Sequence, residues 1–238
     1  MQLPLPIQLN ENARFENFVD SHDAFLTAAL SAFIFAETET VFYLWGPASA
    51  GKTHLLQAVC QQAGEQSVMS NYLPMLELLD YSPEILQGME SMALICVDDI
   101  QMIVDRPDWQ EAFFNLFNRM REAGGKLVFA AIASPRESGF SLRDLVSRLE
   151  WGQVFHLPSA DDEQKKQVLQ QRAKQKGLQL DEDVARYLLN HFSRDLSHLI
   201  SVLDRLDQES LIRKRRITIP LIRDVFSEAD KLPVKGDQ

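Results

Sequence analysis

The residues of this 238-residue chain best suited to chemistry are Gly51-Lys52-Thr53, with a second glycine at Gly46. Together Gly46-Pro47-Ala48-Ser49-Ala50-Gly51-Lys52-Thr53 gives the spacing G-x-x-x-x-G-K-T. The two glycines let the backbone curl so that successive N–H groups and a helix N-terminus face one anion. Lys52 adds a point charge for terminal phosphates, and Thr53 a hydroxyl for a magnesium ion. The pattern predicts a site for ATP or ADP with Mg. A second constellation is Asp98-Asp99, two carboxylates at the end of the apolar run Leu94-Ile95-Cys96-Val97. Asp98 is placed to hold the magnesium through water, and Asp99 stands where a base would orient an attacking water.

Such residues must be carried on alternating strands and helices. Val41–Trp45 is a short apolar run stopped by Gly46-Pro47, as a buried parallel strand requires. A helix is expected over 52–61, a weaker strand over 67–71, a buried strand over 93–97 and another over 127–132. Trp109, Phe113, Leu116, Phe117 and Met120 recur at helical spacing, which makes Phe113, Phe114 and Phe117 core candidates. Trp45 and Trp151 are also read as core. From Pro158 onward the strand signal stops. Ser159-Ala160-Asp161-Asp162 reads as a helix start with Ser159 as cap, followed by helices over 162–176, 182–191 and 194–213. Ile217–Pro220 leads into a last helix with the proline near its start. The expected organisation is residues 1–10 as a peptide, 11–158 as an α/β domain with a parallel sheet covered by helices, and 159–238 as a small all-helical domain.

Composition bounds the function. The chain has 24 basic and 34 acidic side chains, a net charge of −10. Residues 1–160 hold 9 basic against 20 acidic; the rest hold 15 against 14. That balance argues against a protein whose main task is coating DNA. The one dense cationic run, Arg213-Lys214-Arg215-Arg216, is read as a solvated helix end. Cys60 and Cys96 exclude a disulfide framework and a cysteine zinc site, and the five histidines show no metal spacing. The absence of a leader-like or 18-residue apolar stretch leads us to expect a cytoplasmic protein with no membrane contact.

The P-loop, the acidic strand end and the trailing helical region together resemble the AAA+ ATPases. Further blocks narrow this: Arg14–Val19, Val97–Gln101, Leu145–Gly152 and Ser193–Leu196 are similar to the DnaA-type bacterial replication initiators over residues 12–226. The resemblance implies an AAA+ P-loop domain and a helical lid, without the initiator's DNA-binding domain. It implies that Phe18 and Val19 wall the adenine and that Ser134 lies in the sensor I region. Pro135 stands where the initiator has Asp, which implies weak turnover by this chain. Arg194 matches the sensor II arginine. Arg148 matches the arginine finger, which acts on a neighbour's nucleotide.

Gln2-Leu3-Pro4-Leu5-Pro6 resembles the Gln-Leu peptides that dock on the DNA polymerase sliding clamp. An extended, proline-held segment offers Gln2 for hydrogen bonding and Leu3 and Leu5 for an apolar groove. The implied function is negative regulation of replication initiation. Tethered to clamp on DNA, and so reaching DNA indirectly, the chain would stimulate ATP hydrolysis by the initiator. Head-to-tail AAA+ packing also allows a homo-oligomer. The alternative is an active ATPase that loads a helicase or remodels DNA.

Overall fold

In a computed structural model that describes residues 9–19, 24–36 and 40–226, the apolar runs become the strands of one parallel sheet. The strands are β1 (Val41–Trp45), β2 (Ser70–Pro74), β3 (Leu94–Asp98), β4 (Lys126–Ala131) and β5 (Gln153–His156), in the spatial order β2-β3-β4-β1-β5. Alternate side chains feed two cores, because a strand points successive residues to opposite faces. Tyr43, Ile95, Val97, Leu127 and Phe129 pack toward α3 (Met75–Leu78), α4 (Pro107–Glu122) and α5 (Arg143–Leu149). Phe42, Leu44, Leu94, Cys96, Val128 and Ala130 pack toward α1 (Ala24–Phe33) and α2 (Lys52–Glu65). α4 buries Trp109, Phe113, Leu116, Phe117 and Met120, the stripe its spacing prescribes; Phe114 is only half-buried at the edge of that core.

The described residues divide into two compact units between Ser159 and Ala160. The second unit holds α6 (Asp162–Gln175), α7 (Glu182–His191), α8 (Leu196–Arg213) and α9 (Ile219–Val225) around Leu169, Leu188, Phe192, Leu199, Leu203 and Leu206. Lys176 ties the end of the first of these to the third, through Asp204 at 3.1 Å and Asp207 at 3.2 Å. The basic run sits where α8 stops: Arg213 pairs with Glu209, and Lys214 takes a left-handed φ of 51°.

Several sequence expectations need correction. The cap of α6 is Asp161 rather than Ser159. Its carboxylate accepts from the Gln164 N–H at 2.8 Å while the Gln164 side chain accepts from the Asp161 N–H, a closed capping box that leaves Ser159 exposed. The second strand lies three residues later than expected. Val68 is still tied to the end of α2 through the Ala63 carbonyl, and pairing with β3 begins only at Ser70. α8 begins at Leu196, not 194, with Asp195 as its cap. β5 went unread because it is a four-residue edge strand, alternately half-buried and exposed, without an apolar run. Trp151 is not core; it is 58% exposed. Trp45 is half-buried and lies against His156 at the β5 edge.

Candidate nucleotide site and arginine face

The P-loop begins where β1 ends. The Gly46 N–H donates to the Ala131 carbonyl at the end of β4 (3.1 Å), which ties the loop to the neighbouring strand. A Cβ on Gly46 would lie 2.1 Å from the Leu157 carbonyl oxygen, so only glycine fits there. Gly51 caps α2 with φ 95°, and a Cβ on it would meet the Phe18 ring at 2.6 Å. Pro47 and Ala48 are exposed, Ser49 is half-buried with φ 59°, and Ala50 is buried.

Lys52 is buried, and its ammonium donates to the carbonyls of Gly46 and Pro47, both at 2.7 Å. Burial lowers its pKa, opposed by the charges of Asp99 and Asp98. Asp98 closes β3 and is also buried. Loss of water raises its pKa, although the Thr53 and Tyr72 hydroxyls both donate to its carboxylate, the latter at 2.7 Å. A buried ammonium inside a glycine-bounded curl, beside a buried carboxylate linked to a threonine hydroxyl, suits a magnesium–nucleotide. Thr53 and Asp98 would hold the ion, Thr53 directly and Asp98 through water.

Asp99 adopts a left-handed φ of 54°, half-buried, and accepts from the Gln101 amide at 2.8 Å. Ser134 follows β4. Its hydroxyl donates to Glu137 at 2.8 Å, and the buried Tyr43 hydroxyl fixes the preceding carbonyl of Ala133 at 3.0 Å. The sheet therefore brings the P-loop, Asp98, Asp99 and Ser134 to the carboxyl ends of adjacent strands, where open α/β sheets bind ligands.

Phe18 reaches the same end from the N-terminal segment, half-buried and tilted against His54 at 5.9 Å. Val19 next to it is half-buried. The segment from Leu9 to Phe18 straps along α2. The Asn10 N–H donates to the Gln57 side chain at 3.2 Å, and the Gln61 amide donates to the Asn10 carbonyl. The His54 ring lies 2.8 Å from the Arg14 carbonyl, and Arg14 pairs with Glu65 at 2.7 Å. Gln2, Leu3, Pro4, Leu5 and Pro6 lie outside the described residues.

Two arginines of the predicted set remain. Arg194 belongs to the helical unit, where it is exposed and pairs with Asp162 at 3.3 Å. Arg148 closes α5 at the opposite end of the sheet from the P-loop. Four residues on, Gly152 packs on Val41, the first residue of β1, with room for no Cβ: one would lie 2.0 Å from the Val41 oxygen. The Arg148 guanidinium lies 4.3 Å from the centre of the Trp151 ring and 5.8 Å from those of Phe114 and Phe117. Sequence reasoning missed Tyr72, Tyr43 and the role of Trp151; no spacing rule marks them.

Comparison with known proteins agrees with this geometry. The family described as the bacterial DnaA ATPase domain matches residues 79–156, and the one described as the Hda lid domain matches residues 162–226. Domain III of the Thermotoga maritima initiator DnaA superposes with a TM-score of 0.82 at 20% identity, covering 95% of this chain and 100% of that one. AMPPCP-bound DnaA from Aquifex aeolicus gives 0.68 at 25% identity, covering 87% and 69%. The Thermotoga maritima RuvB branch migration motor gives 0.64 at 18%, covering 84% and 66%. The chain is thus an AAA+ protein: a five-stranded parallel sheet with a P-loop, followed by a helical lid. Within that class it belongs to the DnaA-related proteins of the Hda type. No helix among the described residues is long and apolar enough to cross a membrane.

Proposed function

We propose that this chain is a cytoplasmic regulator of replication initiation that binds ADP or ATP with Mg, docks on the sliding clamp through Gln2–Pro6, and accelerates ATP hydrolysis by a DnaA-type initiator through Arg148. The observation that carries this reading is the separation of Arg148 from the chain's own P-loop by the length of β1. Five strand residues at about 3.3 Å each put about 16 Å of β1 between the Gly152 turn that follows Arg148 and the P-loop. An arginine so placed serves a second molecule packed head to tail.

The chain's own residues then divide the work. Gly46–Thr53 cradle the phosphates, Phe18 and Val19 wall the base, and Asp98 and Thr53 hold magnesium, which neutralises phosphate charge when bound. Ser134 and Arg194 would report the state of the nucleotide to the sheet and the lid. Asp99, shorter than Glu and tied to Gln101, leaves intrinsic turnover weak. Arg148 lends the initiator a planar, forked cation for the charge that develops on its transferring phosphoryl group.

The test is single-turnover hydrolysis of ATP pre-bound to the initiator, with clamp loaded on DNA and this protein in excess. Wild type should stimulate; Arg148→Ala should bind clamp and nucleotide but not stimulate. A chain lacking residues 1–6 should bind nucleotide but not clamp. Full stimulation by Arg148→Ala would remove Arg148 from the role.

A further inference from the structure

Arg148 is held by aromatic rings rather than by a carboxylate. Several in the same unit lie against carboxylates, among them Arg14 on Glu65, Arg119 on Glu90 and Arg136 on Glu150, whereas Arg121 shares the aromatic mode on the Trp151 ring. Among the described residues Arg148 has no carboxylate partner. Glu150, the acid closest to it in sequence, is taken by Arg136. The Arg148 guanidinium rests instead on aromatic rings, with the Trp151 indole nearest at 4.3 Å.

The two modes of holding differ chemically. A carboxylate occupies the N–H fork and cancels the charge, whereas a ring takes the cation through its π-face and leaves fork and charge available. A fork that must meet phosphoryl oxygens on another molecule needs the second mode.

The indole is itself fixed. The Trp151 backbone N–H donates to the Arg148 carbonyl at 3.2 Å, closing the turn that ends α5 and anchoring the base of the side chain. The next residue is Gly152, which packs so closely on Val41 that a Cβ would not fit. The buried Phe117 ring meets the indole edge-on, 6.3 Å away at 75°. Arg121 brings a second guanidinium to within 5.0 Å of the same ring, so the patch is positive as well as aromatic. Leaving a tryptophan 58% exposed forgoes hydrophobic stabilisation, so packing alone does not account for it.

We infer that Trp151 is a positioning residue for Arg148: its indole face holds the guanidinium in place with the N–H fork free for a phosphoryl group of the neighbouring molecule. This rests on the reading of Arg148 as a finger acting in trans.

The experiment is the same single-turnover assay, titrated with wild type, Arg148→Ala, Trp151→Ala, Trp151→Leu and Trp151→Phe, with thermal unfolding of each variant alongside. A positioning role predicts that Trp151→Ala and Trp151→Leu lower the maximal rate about fivefold, the scale of one exposed cation–π contact. The concentration for half-maximal stimulation should stay at the wild-type value. Trp151→Phe should keep the rate within about twofold, since a smaller π-face remains. A higher half-saturating concentration at unchanged maximal rate would mean that Trp151 binds the partner directly, and would overturn the inference. Equal performance of Leu and Phe would do so too, because the ring face would then be irrelevant, and so would wild-type behaviour of all three. Full stimulation by Arg148→Ala would instead defeat the finger reading, and this inference with it, whatever the Trp151 variants do.

Discussion

The two ends of the sheet hold their cations by opposite means. At the carboxyl ends of the strands, Lys52 is buried, bonded to two backbone carbonyls and desolvated enough to lower its pKa. At the other end Arg148 lies on aromatic faces beside an exposed indole. A cation meant for the chain's own ligand can be enclosed, because the ligand enters the enclosure. On the proposed reading of Arg148, a cation for another molecule's ligand stays at the surface with its donors uncommitted, and the aromatic rings would supply the restraint that burial cannot.

The comparison breaks most readily at Arg148. Arg148→Lys should lose about 10³-fold or more of the stimulated rate, because an ammonium cannot reproduce the planar fork. Its own nucleotide affinity should match wild type by equilibrium dialysis. The mirror change is Lys52→Met, expected to weaken ADP binding about 100-fold or more. It also carries a pH signature. The folded pKa of Lys52 is lowered, so the unfolded chain holds the extra proton between that value and 10.5. Stability therefore rises with pH across the window, and protonation there opposes folding. Lys52→Met should accordingly unfold at or above the wild-type temperature at pH 7, with any advantage shrinking toward pH 10.5. A large stability loss at pH 7 would show that the lysine is structural.

The next effects come from two glycines that bracket the β1–β5 ladder. Gly46→Ala would collide with Leu157 at one end and Gly152→Ala with Val41 at the other. Each should cost about 3 kcal/mol in urea unfolding, as forced overpacking does. The residual folded protein should differ in what it loses: nucleotide binding for Gly46→Ala, stimulation of the initiator for Gly152→Ala. If both variants lost both properties equally, the two ends would not be separable. The smallest effect is that of Tyr72→Phe, which removes one donor from Asp98. It should weaken magnesium-dependent nucleotide binding by about 1 kcal/mol, measured by titration calorimetry, and leave stimulation at saturating nucleotide unchanged.

The contrast also explains what the sequence could disclose. The strands β1, β3 and β4 and the stripe of α4 were legible because burial on a regular element leaves a periodic apolar trace. The P-loop was legible because a loop that curls around a phosphate demands particular residues at fixed spacing, and Asp98 because a carboxylate stands out at the end of an apolar strand. β5 was not, since a four-residue edge strand with alternating exposure leaves no run to read. Tyr72 and Tyr43 escaped for another reason. Each looks like an ordinary strand residue, and only the folded sheet brings one hydroxyl to Asp98 and the other to the loop before Ser134. Trp151 was misread as core because a large apolar side chain after a helix is usually buried, and its partnership with Arg148 arises from the turn that Gly152 fixes.

The strap along α2 has a mechanical consequence. Leu9 packs on the core beside α2, and Asn10 is fastened to Gln57 and Gln61, one turn apart on that single helix. Behind those fastenings come Arg14 on Glu65 and Phe18 on Gly51. A load on this segment would thus pass to the helix that starts at the P-loop. The strap gives an outside load a handle on α2, the helix whose first turn carries Lys52 and Thr53.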